Sequence, residues 1–302
     1  MFILPKVIVI CLQNSKKILK DFLTETYPEL TISKINKLIK KGDIKVNKKK
    51  SYWNYELKEN DLVSFYITLK QTKNLTFLKA NSKIKIIYED LNIIIVDKPR
   101  GIICQPDKNE KINTLNNQIK KYLYEKQDES YKVANLCHRL DKYTSGVCIA
   151  AKNQKTLKEL NMQWNTKAIS KFYLALCYGN FKDNKKTLVD YVWFNEKTQK
   201  MEIDKKNIYQ KKMETKYFVI KQSKNYALLK IEILTGKKHQ IRVHMSSIGH
   251  PVLGDTKYNK INNFSYKFPC LISHQIKFNF PKNHFLSYLN EKNIVSKTKD
   301  FK

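Results

Sequence analysis

Asp141 and Arg242 are the residues whose types raise a chemical question. The chain holds 58 lysines and arginines, yet only Arg100, Arg139 and Arg242 are arginine. Lysine supplies diffuse positive charge equally well, whereas arginine adds a planar fork that grips a carboxylate or a phosphate at two points. In the block HRLDKYTSG, Asp141 is crowded by Arg139, Lys142, the hydroxyls of Thr144 and Ser145, and Gly146. Such a segment reads as a turn or strand exit that presents a carboxylate to a cleft, although an aspartate merely paired with a basic neighbour fits the same spacing. The second block is LTGKKHQIRVHMSSIGHPVLGD. There Gly236 breaks a strand, and the spacing of Ile241, Met245 and Ile248 predicts a helix that Gly249 ends. Arg242 then lies in the first half of that helix, and an Asp141–Arg242 pair is expected. A carboxylate beside a guanidinium stays ionised in a cleft that excludes water, as a nucleophile must.

The elements that carry these blocks are legible in outline. Near the start, Ile18, Leu19, Phe22 and Leu23 recur at helical spacing, and Ser33 opens a second helix through Ile35, Leu38 and Ile39 that stops at Gly42. That helix carries Lys34, Lys37, Lys40 and Lys41, so one side is apolar and the other basic. DIKVN and DLVSFYI read as short strands around a basic loop. Further on, KIKIIYEDLNIIIVDKPRG predicts a hairpin turning at Glu89–Asn92, VCIAA a buried strand, and Asn153 the cap of a helix through Leu157, Leu160 and Trp164. KFYLALCY, the run from Val189 to Phe194, METKYFVI and YALLKIEIL add strands. Strands outnumber helices, so the class is α+β around a largely antiparallel sheet.

A formal net charge of +31 attracts polyanions through counterion release and makes nucleic acid the leading partner class, although a Lys/Asn/Ile compositional bias accounts for part of the excess. The six cysteines include no CxxC pair, which reads as reduced, mostly buried thiols in a cytosolic protein and argues against structural zinc. His239 and His244 are five apart, out of step for a metal pair on a helix. His138, His250 and His274 read as local hydrogen-bonding residues, and no phosphate-cradling glycine loop suggests a nucleotide cofactor. MFILPKVIVICL reads as an opening strand rather than a signal peptide, and no later run approaches the ~20 apolar residues of a membrane span.

Two resemblances follow from these motifs. The stretch from Ser15 to about Tyr66, centred on ISKINKLIKKGDIKVN, resembles the αL RNA-binding domain first named for a small-subunit ribosomal protein. That likeness implies that Lys34, Lys37 and Lys41 face RNA phosphates. HRLDKYTSG, the KFYLA segment and TGKKHQIRVH…GHPVLGD stand in the order and spacing of the RluA-type pseudouridine synthases, with YEDLNIIIVDKPRG before them. The resemblance covers roughly Lys83 to Phe280 and implies Asp141 as the catalytic aspartate, Arg242 as its basic partner and Tyr173 as the active-site tyrosine. It implies further that Arg139 fills the space left by an extruded base. Lys237 stands where the family has arginine, and Lys238 where a small hydroxyl residue is common; both remain able to touch phosphate. Arg100 reads equally as a phosphate contact or a solvated loop residue. Cys104, Gln105 and Pro106 stand where the family often has a histidine.

The expected organisation is an αL-type domain over 1–70, a linker over 71–82, a pseudouridine synthase domain over 83–290 and a basic tail over 291–302. The resemblance implies a cytoplasmic, monomeric, cofactor-free and metal-free isomerase of RNA uridines. Large-subunit ribosomal RNA is favoured because tRNA-directed relatives often lack the extra domain. A non-catalytic ribosome-assembly factor, a tRNA-directed synthase, and a nuclease or glycosidase using Asp141 remain the alternatives.

Overall fold

A computed structural model describes residues 6–11, 14–27, 30, 32–65, 75–204, 210–259, 266–298 and 301. The chain divides into two compact units, Met1–Phe77 and Leu78–Lys302. No described helix is long and apolar enough to cross a membrane.

The first unit runs β1 (Lys6–Val9), α1 (Leu19–Thr26), α2 (Ile32–Lys41), β2 (Ile44–Val46), β3 (Lys49–Lys50) and β4 (Leu62–Phe65). The strands form an antiparallel sheet in the order β1-β4-β2-β3. Both helices bury the apolar stripe that their spacing predicts: Leu19, Phe22 and Leu23 of α1 and Ile35, Leu38 and Ile39 of α2 share one core with Ile44, Val63 and Phe65. Gly42 at φ 81° ends α2 in the left-handed conformation that glycine adopts without strain. Asn47 and Lys48, at φ 51° and 63°, give the two successive left-handed residues that match a two-residue turn to strand twist. The opening run is a strand over Lys6–Val9, with residues 1–5, 12 and 13 outside the described residues. Of the expected linker, residues 71–74 lie outside the described residues and Leu75–Lys79 form a 3-10 turn.

The second unit contains β5 (Lys85–Glu89), β6 (Ile93–Lys98), α3 (Leu115–Glu125), β7 (Asn135–Leu136), β8 (Ser145–Ala151), α4 (Gln154–Gln163) and β9 (Ile169–Tyr178). It continues with β10 (Lys185–Asn195), β11 (Lys200–Ile203), β12 (Lys211–Gln222), β13 (Tyr226–Ile233), α5 (Gln240–Ser247), β14 (Leu271–Phe278) and β15 (Ile294–Val295). The main sheet has the order β11-β10-β12-β13-β9-β14-β8-β6-β5, with β7 on β8 and β15 on β14. Its described pairings are antiparallel except β14 with β8. The expected hairpin is β5–β6, and Asn153 caps α4 by accepting from the Thr156 N–H at 2.8 Å.

β6 and β8 are buried along their whole length because the sheet carries a core on each face. Ile94 and Val96 join one core with Cys148, Ala150 and Tyr173; Ile93 and Ile95 join the other with Val147 and Ile149. A strand covered on both faces reads as an unbroken apolar run, as IIIV and VCIAA do. Residues 291–302, read as a tail, carry β15 beside β14. Just beyond it, Ser296 Oγ and the N–H groups of Lys297 and Thr298 donate to the buried Asp97 carboxylate at 2.8, 2.7 and 3.2 Å.

Candidate active site

Three strands and one helix converge on Asp141. Ser273 of β14 lies opposite Tyr173 of β9 on one side and Gly146 of β8 on the other. Gly146 is at φ 109°, and a Cβ there would stand 2.1 Å from the Ser273 carbonyl oxygen. Only glycine lets β8 approach so closely, and that approach brings the turn of Asp141 beside Tyr173. The turn is also held from below. Lys98, wholly buried at the end of β6, donates from Nζ to the carbonyls of Pro99, Ile102 and Lys142 at 3.0, 2.7 and 3.1 Å. Cys104 Sγ meets both polar groups of the Leu140 backbone, at 3.2 Å from the N–H and 3.4 Å from the carbonyl. These contacts give a role to the cysteine that stands where the family often has a histidine, and to Lys98, which sequence reasoning had not singled out.

Arg242 joins the two motif blocks. Its Nη1 donates to Asp141 Oδ2 at 3.0 Å, as expected from the sequence. The two-point grip, however, falls on Asp255: Nε and Nη2 donate to Oδ2 and Oδ1 at 2.7 and 2.8 Å. Asp255 is fully enclosed, while the side chain of Asp141 is 32% exposed, so Asp141 is a half-open carboxylate rather than a buried one. Sequence reasoning missed Asp255, although it closes the quoted GHPVLGD. Gly254 at φ 74° makes the turn before it, where a Cβ would lie 2.1 Å from the Phe268 carbonyl oxygen. Burial raises the Asp255 carboxyl's pKa, but bonds from Arg242 and the N–H groups of Lys257 and Tyr258 leave it lowered overall. Burial opposes the guanidinium's charge as well, yet Asp255 and Asp141 raise its pKa.

His239 also reaches the site. It adopts φ 55° just before α5, its Nδ1 lies 2.8 Å from the Tyr258 hydroxyl, and its Nε2 stands 3.8 Å from Asp141 Oδ2. Burial pushes its pKa down to about 4 against the pull of Asp141, so at neutral pH the approach is that of an uncharged ring rather than an ion pair. Gln240 fixes the loop before it. Its Oε1 accepts from the Lys237 N–H and the Thr235 hydroxyl at 3.0 and 2.8 Å, and its Nε2 donates to Glu214 O and Thr215 Oγ1 at 2.8 and 2.9 Å. With its amide satisfied on both sides, Gln240 ties the TGKKH loop to β12 and sets where α5 begins.

Asp141 opens into a groove of about 580 Å³ lined by Tyr173, Arg139, Lys171, Lys237 and Lys238 among others. Tyr173 alternates inward on β9 with Lys171 and Ala175, and burial raises its phenol pKa, leaving it neutral at physiological pH. Arg139 lines the groove as an exposed residue, and Lys238 Nζ lies 4.4 Å from the Phe194 ring. Lys171 was missed, although two-residue strand periodicity places it on the face of Tyr173. It is 3% exposed, donates to the Trp164 carbonyl at 2.5 Å, and is pushed down to about 8 by burial. Arg100 is not among the groove's residues: its Nη1 donates to the Phe301 carbonyl at 2.9 Å. Lys34, Lys37 and Lys41 belong to α2 of the first unit.

Comparison with known proteins matches residues 92–247 to the family described as RNA pseudouridylate synthase. An uncharacterized RNA pseudouridine synthase of Mycoplasma genitalium is 32% identical over 92% of this chain and 88% of its own. The ribosomal large subunit pseudouridine synthase C of Buchnera aphidicola subsp. Acyrthosiphon pisum is 33% identical over 87% of this chain and 86% of its own. Among solved structures, human RNA pseudouridylate synthase domain containing 4 shares the fold, with a TM-score of 0.58 at 22% identity over 72% of this chain and 89% of that one.

Proposed function

The chain belongs to the RNA pseudouridylate synthase family, and from that premise we propose that it isomerises chosen uridines of large-subunit ribosomal RNA, with Asp141 as the catalytic carboxylate. It is an isomerase acting on RNA; the choice of ribosomal RNA follows the names of its relatives in Buchnera and Borreliella burgdorferi. The observation that carries the catalytic assignment is the 3.0 Å bond from Arg242 to a carboxylate that still faces an open groove. Asp255, which holds the same guanidinium at two points, is wholly enclosed, whereas Asp141 keeps open space in front of it.

The reaction breaks the bond between uracil N1 and the sugar, turns the base, and joins ring carbon five to the sugar; the proton on that carbon leaves and the freed N1 takes one up, so the nucleotide keeps its composition. A uridine in structured RNA reaches Asp141 only when flipped out, at an unstacking cost of a few kcal/mol. Arg139, an exposed residue of the groove lining, fills the gap. Tyr173 supplies a ring face for the flipped uracil. A phenol whose pKa burial has raised holds its proton, which favours stacking and hydrogen-bond donation over proton abstraction. Lys171, Lys237 and Lys238 supply positive charge along the groove for phosphates. The first unit serves as a separate RNA grip through Lys34, Lys37 and Lys41, and the enzyme acts as a cytoplasmic monomer.

RNA tritiated at ring carbon five tests this reading. Wild-type protein should release tritium to water from large-subunit ribosomal RNA without strand cleavage or free uracil. Asp141→Asn should abolish release while RNA binding persists. Cleaved RNA or free base would instead indicate the hydrolytic alternative, and binding with no release from ribosomal or transfer RNA the non-catalytic one.

A further inference from the structure

The first unit contains a cavity that none of the assignments above uses. It has a volume of about 560 Å³ and lies between α2 and the segment after β3, lined by Asn36, Ile39, Lys40, Lys50, Ser51, Tyr52 and Trp53. Tyr52 is 78% exposed and Trp53 49%, although adjacent aromatic rings are normally drawn into a core. The turn that presents them is pinned: the Trp53 carbonyl accepts from the Lys20 N–H at 3.1 Å, and the Tyr52 carbonyl from the Tyr55 N–H at 3.1 Å. Lys20 Nζ lies 5.1 Å from the Trp53 ring. At the cavity wall, Asn36 Oδ1 and Ser51 Oγ are shielded yet have no hydrogen-bond partner. Shielded polar atoms are nearly always paired, so two such groups bordering one cavity ask for a ligand with hydrogen-bonding edges.

We infer that this cavity seats one unpaired RNA base, stacked on Trp53 beside Tyr52, with its edge toward Asn36 and Ser51 and its flanking phosphates on Lys40 and Lys50. Every base offers a π-face, and stacking on aromatic rings beside a basic groove is how single strands are held without sequence readout. The lining has two lysines and no carboxylate, which suits an anionic chain. This rests on the reading of the protein as an enzyme of RNA and adds to it a preference for an unpaired nucleotide away from the reacting uridine.

The test uses the full chain with a labelled, unstructured hexanucleotide and, for comparison, a short RNA duplex at the same salt. Trp53→Leu should weaken hexamer binding about tenfold, within the range of one lost base stack. Trp53→Phe should restore most of it, and duplex affinity and the melting temperature should be unchanged. A hexamer carrying 5-iodouridine should photocrosslink at Trp53 or Tyr52, located by mass spectrometry. Unaltered hexamer binding by Trp53→Leu, parallel loss on hexamer and duplex, or crosslinks confined to the second unit would overturn the inference. Tritium release on the same preparations separates the two readings. Wild-type protein that isomerises while Trp53→Leu binds the hexamer normally refutes the seat alone, whereas absent release with a Trp53-dependent hexamer supports the seat and removes the catalytic reading.

Discussion

Arg242 shows why a lysine-rich chain keeps an arginine here. One guanidinium satisfies an enclosed carboxylate at two points and has a third N–H for Asp141, a geometry that a single ammonium cannot reproduce. Arg242→Lys should therefore fold but lose about 100-fold in single-turnover tritium release, the scale of a misplaced electrostatic contact. Arg242→Met leaves Asp255 buried without a counterion and should cost about 3–5 kcal/mol in chemical denaturation. Sequence reasoning found the Asp141–Arg242 pair because residue scarcity marked it. It missed Asp255 because an aspartate after glycine at the end of a loop looks like turn chemistry until its enclosure is seen. His138 gives a second check at this scale. Its Nε2 accepts the Ile149 N–H at 3.1 Å while its ring stacks on Trp164 at 4.1 Å, which requires a neutral imidazole. Burial, assisted by Lys171, pushes its pKa down to about 3, below the ordinary value of 6.5. The unfolded chain then binds a proton that the folded chain refuses, so this contribution to stability is full above pH 6.5 and declines as pH falls toward 3. Between pH 7 and 5 wild type should lose about 2 kcal/mol more than His138→Phe, measured by urea denaturation at both pH values.

Individual strands and helices were readable because each has its own signature: DIKVN and METKYFVI alternate, KFYLALCY, IIIV and VCIAA are nearly unbroken apolar runs, and both helices of the first unit show a stripe. Sheet order was not readable. β14 inserts between β9, which ends at Tyr178, and β8, which ends at Ala151, far earlier in the chain than its own start at Leu271, and its pairing with β8 is the parallel one among the described pairings of the main sheet. No local pattern encodes such a partner, and the short β15 near the chain end lacks enough residues to show any period. Gly146 is the local trace of that non-local contact, since its missing side chain is what β14 requires. Gly146→Ala would place a Cβ 2.1 Å from the Ser273 carbonyl oxygen in a conformation unfavourable to alanine. It should destabilise the second unit by more than about 2 kcal/mol, read as a lowered denaturation midpoint. Because the same contact holds the turn of Asp141, tritium release at a temperature where the variant is still folded should fall as well. A variant as stable and active as wild type would mean that β8 and β14 can separate without consequence.

At the scale of the molecule, the formal charge of +31 is a statement about partners, and the two units divide the work it implies. The second holds a groove in which Arg139, Lys142, Lys171, Lys237 and Lys238 line the approach to Asp141. The first has α2, which turns Ile35, Leu38 and Ile39 inward and carries Lys34, Lys37 and Lys41 on its other side. If those three lysines meet phosphates, each contact releases condensed counterions, and the logarithm of affinity falls with the logarithm of salt by about 0.7 per phosphate on a single strand and about 0.9 on a duplex. Replacing all three by glutamine should then reduce the salt slope of ribosomal RNA binding by roughly 2 to 3. Turnover at saturating RNA should be preserved, because the chemistry proposed for Asp141 lies in the other unit. The apparent KM should rise most at low salt, where the lost attraction was strongest. A uniform drop in turnover with an unchanged slope would instead place these lysines outside the RNA path and leave the charge of α2 as ordinary solvation of a small helix.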